Sequence, residues 1–374
     1  MTADVIVIGA GAAGASAAFH LAQAGCRVLL LEQARHPRPK PCGGGMAASV
    51  QRWFPFDLAP AVDRVIETVR FTWCLEDPVN APLPGCAPFW IVRRSVLDRF
   101  LSEQACAAGA ELLQDWRVEA VRRDGDHWLV VGAAGELLRA RGVVLADGSG
   151  SQLAQALGLG PAQLRYASTL SLDVEGPVAE PSTAHFDFGL VHHGFCWAFP
   201  RQGGYSIGLG TFIGRQDADA DAVLSQLLPS LGLNPNSGVR RRSQLRLWNG
   251  HHRLHGDGLL VVGDAASLCD PFLAEGLRPA LLSGCLAAEA MAGWLAGDGE
   301  ALAGYSRRIR AQWGDSMAWG KRIAQVFYRV PKVGYQLGVK RSTAPQRIAQ
   351  ILSGQMGYGD IAQRVIRRLL LQGN

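Results

Sequence analysis

Few short patterns restrict a fold as tightly as an apolar strand that runs straight into Gly-x-Gly-x-x-Gly. This chain has one: Asp4-Val5-Ile6-Val7-Ile8-Gly9-Ala10-Gly11-Ala12-Ala13-Gly14. Gly9 permits the tight turn out of the strand, Gly11 lets a pyrophosphate approach the backbone, and Gly14 lets the following helix pack on the strand. The Ala-rich stretch behind the turn is helical in character, so its free N–H groups and positive dipole end favour a phosphate there. A second apolar run, Val28-Leu29-Leu30-Leu31, ends in Glu32, placed to accept hydrogen bonds from both hydroxyls of an adenosine ribose. Strand, turn, helix, strand and terminal acid in that order predict an adenine dinucleotide ligand.

With 374 residues, 48% hydrophobic and 18% charged, the chain is globular, with room for two cores or for one nucleotide domain carrying insertions. Its net charge of +5 comes without the Lys/Arg run that nucleic acid requires, so no nucleic-acid partner is expected. The charge suits an acidic protein or an anionic membrane surface. Cysteines 26, 42, 74, 86, 106, 196, 269 and 285 include no Cys-x-x-Cys pair, which argues against a zinc site or disulfide framework and for a reducing, cytoplasmic setting. Neither His192-His193 nor His251, His252 and His255 has companion Cys or acidic residues at ligand spacing, so no metal is expected. Residues 5–19 are small and apolar but lack the basic start of a signal peptide. No apolar run reaches the ~18–20 residues of a spanning helix.

Residues 34–48 read as a loop rich in Pro, Gly and basic residues, including Lys40-Pro41-Cys42-Gly43-Gly44-Gly45. Such a loop is usually kept for a ligand. Strand patterns occupy about 62–92, and a helix about 94–108 puts Leu97, Phe100, Leu101 and Ala105 on one face. Hairpin-like strands follow at Val118–Val121, Trp128–Val131 and Leu137–Ala140. Val143-Val144-Leu145-Ala146 then runs into an Asp147-Gly148 turn and a helix. Strands return over 166–247 with a helix near 216–228, and Leu259-Leu260-Val261-Val262 ends in Gly263-Asp264 before a long helix at about 276–296. Two nucleotide-type strands so far apart predict an α/β fold with a Rossmann-like nucleotide-binding domain that is discontinuous in sequence. Its pieces are 1–61, 94–165 and 255–298, with an inserted, mainly antiparallel β substrate domain (62–93 and 166–254) and a helical C-terminal region (299–374).

An Asp at the carboxyl end of a parallel strand faces the ligand crevice. Asp264 would there accept a hydrogen bond from a ribityl hydroxyl, which a flavin has and a nicotinamide dinucleotide lacks. Amides near Gly276 and Leu277 would aim a helix N-terminus at the flavin pyrimidine ring and stabilise its reduced anion. The alternative is a surface turn with an acidic cap.

Together these pieces resemble the FAD-dependent oxidoreductases of the glutathione-reductase type related to p-hydroxybenzoate hydroxylase. Within them, Lys40-Pro41-Cys42-Gly43-Gly44-Gly45, Trp197-Ala198-Phe199-Pro200 and Asp270-Pro271-Phe272-Leu273-Ala274-Glu275-Gly276 are similar to the geranylgeranyl reductases. The resemblance spans about residues 4–300. It implies FAD contacts at Ala13, Glu32, Cys42, Gly43, Arg94, Val118, Asp264, Gly276 and Leu277, Arg94 through the helix start Arg94-Ser95-Val96-Leu97-Asp98. One position departs: the family's Tyr-x-Trp-x-Phe-Pro is Phe195-Cys196-Trp197-Ala198-Phe199-Pro200 here, so the Tyr hydroxyl is missing.

Phe195, Trp197 and Phe199 alternate, so a strand puts them on one face. That face suits an apolar slot for a long unsaturated chain, and equally an inert sandwich interior. Cys42, beside Lys40, is the candidate catalytic residue; its alternative role is a small residue that permits close approach of the loop. The resemblance implies saturation of carbon–carbon double bonds in a geranylgeranyl or other polyprenyl lipid or pigment. With no second Gly-x-Gly-x-x-Gly to mark an NAD(P)H domain, NADPH visiting the flavin or reduced ferredoxin is the expected donor. A flavin monooxygenase or halogenase shares the scaffold, and a flavoprotein that binds prenyl lipid without turnover is a third reading. The basic C-terminus (Arg341, Arg347, Arg364, Arg367 and Arg368, with Ile366, Leu369, Leu370 and Leu371) suits a membrane surface or a solvated helix closing the pocket.

Overall fold

The computed structural model describes residues 2–85, 88–213, 219–341 and 343–363. Cys86 and the C-terminal stretch from Arg364 to Leu371 lie outside them. The first sheet has eight strands. Thr2–Ile8 lies at its centre, with parallel neighbours Leu137–Leu145 on one side and Val28–Leu31 on the other. Leu259–Val261 continues it beyond Leu145, and Glu111–Leu113 beyond Leu31. Register does the functional work. Ile8 pairs with both Leu145 and Leu31, and Leu145 pairs with Val261. Four strands therefore end in one row, and the residues just past that row are Gly9, Glu32, Ala146-Asp147 and, one place on, Gly263-Asp264. Chain segments more than 250 residues apart meet at the carboxyl edge where α/β sheets bind ligands.

The strands at 137–140 and 143–146, expected as separate, are one strand, Leu137–Leu145. Its first half pairs antiparallel with His127–Gly132 and alternates exposed with buried, while its second half is buried throughout. The helix expected after Asp147-Gly148 is one turn, Leu153–Ala156. The helix Ala12–Gln23 packs against the long helix Leu277–Leu295 through small residues: a Cβ on Gly284 would lie 2.3 Å from the Ala13 carbonyl oxygen. The Ser16 hydroxyl reinforces the contact by donating to the Leu281 carbonyl at 3.1 Å.

The second sheet has seven strands, antiparallel except where Thr183–Phe188 runs parallel to Thr68–Trp73. Its strand Gly194–Arg201 is buried along its whole length because both faces are covered. Phe195, Trp197 and Phe199 join the main core, whereas Cys196 and Ala198 join a separate cluster under the helix Ala220–Ser230. A three-stranded sheet joins Gly45–Ala47, Phe89–Val92 and Val62–Ile66. The stretch 34–48, expected as loop throughout, thus ends in a strand that anchors the Cys42-Gly43-Gly44 segment. Beyond the long helix the described chain is helical, with Ala301–Ile309, Asp315–Phe327 and Ala344–Leu352 as its main pieces. Among the described residues no helix is long and apolar enough to cross a membrane.

Candidate active site

One cavity runs from the nucleotide turn to the second sheet. Gly11, Ala13, Cys42, Gly43, Arg94, Phe195, Trp197, Phe199, Asp264, Gly276 and Leu277 all line it. Gly9, Gly14, Glu32 and Val118 do not. Gly9 and Gly14 shape the turn from behind: at φ +101° a Cβ on Gly9 would lie 2.5 Å from the Ala146 carbonyl oxygen, and one on Gly14 would lie 1.8 Å from that of Gly9. Gly11 is not crowded: its Cβ would make only ordinary contacts, at 3.7 Å from the Arg38 and Arg94 guanidinium nitrogens. Val118 lies near the Glu32 strand end: it starts Val118–Asp124, two residues beyond Trp116, whose N–H donates to the Glu32 carbonyl at 2.9 Å.

Charge at the turn is ordered by a buried network. Glu32 accepts hydrogen bonds from the Ala10 N–H at 3.0 Å and from Arg38 at 3.1 Å. Arg94 is held two-pronged by Asp98, one helical turn on, at 2.8 Å for each contact. Arg38 also approaches Asp98 at 3.5 Å, so two carboxylates fix the guanidiniums in place. Lys40 stands beside them, and the Arg94 charge, followed by burial, holds its amine below the usual lysine range.

These residues fit an FAD. The helices Ala12–Gln23 and Leu277–Leu295 begin at Gly11 and Gly276, and neither N-terminus has a side-chain cap. Both open on the same cavity. Uncapped helix N-termini leave N–H donors that need a partner, and an anionic dinucleotide supplies one at each end. The buried Arg38 Nε likewise has no partner among the described residues.

The far end of the cavity is aromatic. Phe186 packs on Phe199 at 5.1 Å and on Phe195 at 5.6 Å between ring centres, with Trp197 alongside Phe195 at 6.2 Å. Glycines make room for Trp197: a Cβ on Gly208 would lie 2.0 Å from its ring, and one on Gly43 would lie 3.0 Å from its Nε1. That Nε1 is buried without a hydrogen-bond partner among the described residues. The Cys42 Sγ accepts the Gly44 N–H at 3.3 Å, a contact that braces the loop.

Glu275 is the residue that sequence reasoning quoted but gave no role. It lines the cavity and is 8% exposed; Arg278 donates to one of its oxygens at 2.6 Å, and the other has no partner among the described residues. Burial pushes its carboxyl up to about 7, against the opposing pull of Arg278. Ala274 before it adopts the left-handed conformation at φ +58°, which a non-glycine residue keeps only where the surroundings impose it. The available signal was the Glu275/Arg278 spacing at the head of the long helix.

Parallel strand ends, paired helix N-termini and a cation-lined turn opening on an aromatic slot define a flavin-dependent oxidoreductase. The chain belongs to the family described as FAD dependent oxidoreductase, which it matches over residues 4–62 and 88–294. It is 32% identical over 342 residues to digeranylgeranylglycerophospholipid reductase 2 of Methanothermobacter thermautotrophicus, covering 85% of this chain and 86% of that one. In fold it is similar to a geranylgeranyl bacteriochlorophyll reductase-like protein of Thermoplasma acidophilum, with TM-score 0.79, 20% identity and coverage of 96% and 93% of the two chains. It is also similar to the flavin-dependent brominase Bmp2, with TM-score 0.75, 19% identity and coverage of 98% and 100%. Fold alone therefore does not separate reduction from halogenation.

Proposed function

We propose that this oxidoreductase saturates carbon–carbon double bonds of a geranylgeranyl or related polyprenyl chain. The observation that carries the reading is the cavity itself, which joins the nucleotide turn to a wall of Phe186, Phe195, Trp197 and Phe199. The sequence relative named as a reductase of a digeranylgeranyl lipid supports it. In this reading Gly11, Ala13, Glu32, Arg38 and Arg94 hold the adenosine diphosphate half of FAD, while Asp264, Gly276, Leu277 and the Cys42-Gly43 backbone hold the flavin half, with Val118 toward the adenine. Reduced FAD would supply the hydride, its two electrons arriving from NADPH together as hydride or from reduced ferredoxin one at a time. The aromatic wall excludes water and aligns the alkene, an alignment that an unpolarised double bond requires before it reacts. Glu275, with its raised affinity for a proton, is the acid that protonates the double bond, and the carbon left cationic would take the hydride. Cys42 braces the loop that Trp197 and Phe199 pack on. Contact with a membrane surface belongs to the same reading, because the substrate is a lipid.

The test is an anaerobic incubation of dithionite-reduced enzyme with a panel of geranylgeranyl compounds, read by mass spectrometry. Products heavier by pairs of hydrogen atoms are expected. Oxygen or halide in the product would replace the reading with that of a monooxygenase or halogenase, and binding with no flavin reoxidation would replace it with that of a lipid carrier. Trp197→Ala should cut turnover while FAD remains bound, since a large aromatic contact contributes on the order of 1–3 kcal/mol to holding a chain.

A further inference from the structure

From Ser316 to Gly359 the chain carries Lys321, Arg322, Arg329, Lys332, Lys340, Arg341 and Arg347 and no acidic residue. Four large hydrophobics stand exposed within that run: Val326 at 67%, Val330 at 49%, Val333 at 53% and Leu337 at 54%. Val326 lies in the last turn of Asp315–Phe327, Val330 caps the turn that begins at Pro331, and Val333 and Leu337 lie in the helical turns from Pro331 to Val339, so the four form an apolar stripe along the chain within residues 326–337. Other exposed large hydrophobics among the described residues, such as Val65, Val96, Leu137 and Val239, are dispersed along the chain, as is ordinary on protein surfaces. Arg322, Arg329, Lys332 and Arg341 are exposed around the stripe. Asp77, which meets this segment beside the stripe, is paired with Lys340 at 2.6 Å.

We infer that this face docks on an anionic lipid bilayer, deepening the reading of the substrate as a lipid. The inner side of the same segment leads to the cavity: Phe327 packs on Phe188 at 5.1 Å, and Phe188 packs on the cavity-lining Phe195 at 5.9 Å. Tyr335 ties the segment to the second sheet by donating to the Asp77 carbonyl at 2.6 Å. A continuous chain of packed aromatic rings, Phe327, Phe188 and Phe195, thus runs from this segment to the slot. A bilayer matches both halves of the surface, with aliphatic side chains entering the acyl boundary and cations meeting the headgroups. A second copy joined about a twofold axis would set cations against cations. An acidic carrier protein would leave the aliphatic stripe against charge.

The test is flotation of the FAD-loaded full chain with vesicles of phosphatidylcholine alone or mixed equally with phosphatidylglycerol. Recovery with the anionic vesicles should exceed that with neutral ones by about tenfold or more and fall as salt is raised. The variant Val330→Ser/Val333→Ser/Leu337→Ser should lose about tenfold or more in partitioning, and Arg329→Gln/Lys332→Gln should lose the preference for anionic lipid. Both variants should keep their FAD absorbance and melting temperature, because the side chains are exposed. Equal recovery with both vesicle types, no recovery with either, undiminished flotation of the variants, or dimer formation through this face would each overturn the proposal. Flotation reads binding without turnover, and reduction of a detergent-dispersed substrate should be unchanged in these variants, so the docking surface and the reductase reading fail separately.

Discussion

Gly11 and Gly14 share one turn yet should respond oppositely to a methyl group. Gly14→Ala drives a Cβ to 1.8 Å from the Gly9 carbonyl oxygen and should destabilise the fold by about 4 kcal/mol or more, read as loss of soluble protein or of the melting transition. Gly11→Ala adds a Cβ that makes only ordinary contacts at 3.7 Å, so the protein should melt within about 1 kcal/mol of native and yet retain little FAD. A Gly11→Ala variant that stays fully yellow would show that no pyrophosphate approaches there. Glu275→Gln should lower turnover by about 10²–10⁴ with FAD retained. It also carries a stability signature. A carboxyl raised from 4.5 to about 7 keeps more protons folded than unfolded, so its contribution is full below about 4.5 and is lost as pH rises toward 7. The difference in denaturant midpoint between Glu275→Gln and native protein should therefore change across that window and be flat above it. The packing roles of Gly9 and Gly14 were legible because each is a backbone requirement at fixed spacing. Glu275 was not, because its properties depend on burial and on Arg278 and Asp270, which local pattern does not reveal.

At the scale of elements, the helical C-terminal region acts as a clamp on the strand and loop that lead into the long helix. The Tyr305 hydroxyl donates to the Val261 carbonyl at 2.7 Å, Trp313 Nε1 to that of Leu268 at 2.8 Å, and the Tyr328 hydroxyl to that of Phe272 at 2.6 Å. The Tyr358 hydroxyl donates to the buried Asp270 carboxylate at 2.6 Å, whose other oxygen accepts the Phe272 and Leu273 N–H groups. Tyr358→Phe should cost about 1–3 kcal/mol in chemical denaturation and loosen FAD, since the loop it braces carries Glu275 and Gly276. Unchanged stability would remove the clamp from the account. Elements with long apolar runs were readable: the helix Leu277–Leu295 and the strand before Asp264 fall within a residue or two of expectation. Leu137–Leu145 was misread as two because it passes from a half-exposed sheet margin into the sheet centre, and its pattern changes from alternating to continuous. Gly45–Ala47 was hidden because its partner Phe89–Val92 lies more than 40 residues away.

For the whole molecule, FAD is a structural partner as much as a reagent. Two uncapped helix N-termini and a cluster of cations face one cavity, so the bound dinucleotide stabilises the fold by mass action, about 2.7 kcal/mol at a hundredfold excess over its Kd. Removing FAD by gel filtration in acidic ammonium sulfate should lower the melting temperature, and adding it back should restore it in a concentration-dependent way. The row of strand ends also sets a timetable. Ile8, Leu31 and Leu145 leave the ribosome early, but Val261, which completes the row, follows more than 100 residues after Leu145. At about 5–20 residues per second, a nascent chain spends several seconds with the Gly9–Gly14 turn already made and Asp264, which the proposed function assigns to the other end of the cofactor, still missing. Stalled chains ending at residue 250 should accordingly emerge colourless, and the flavin should be acquired only as the final third of the polypeptide is synthesised.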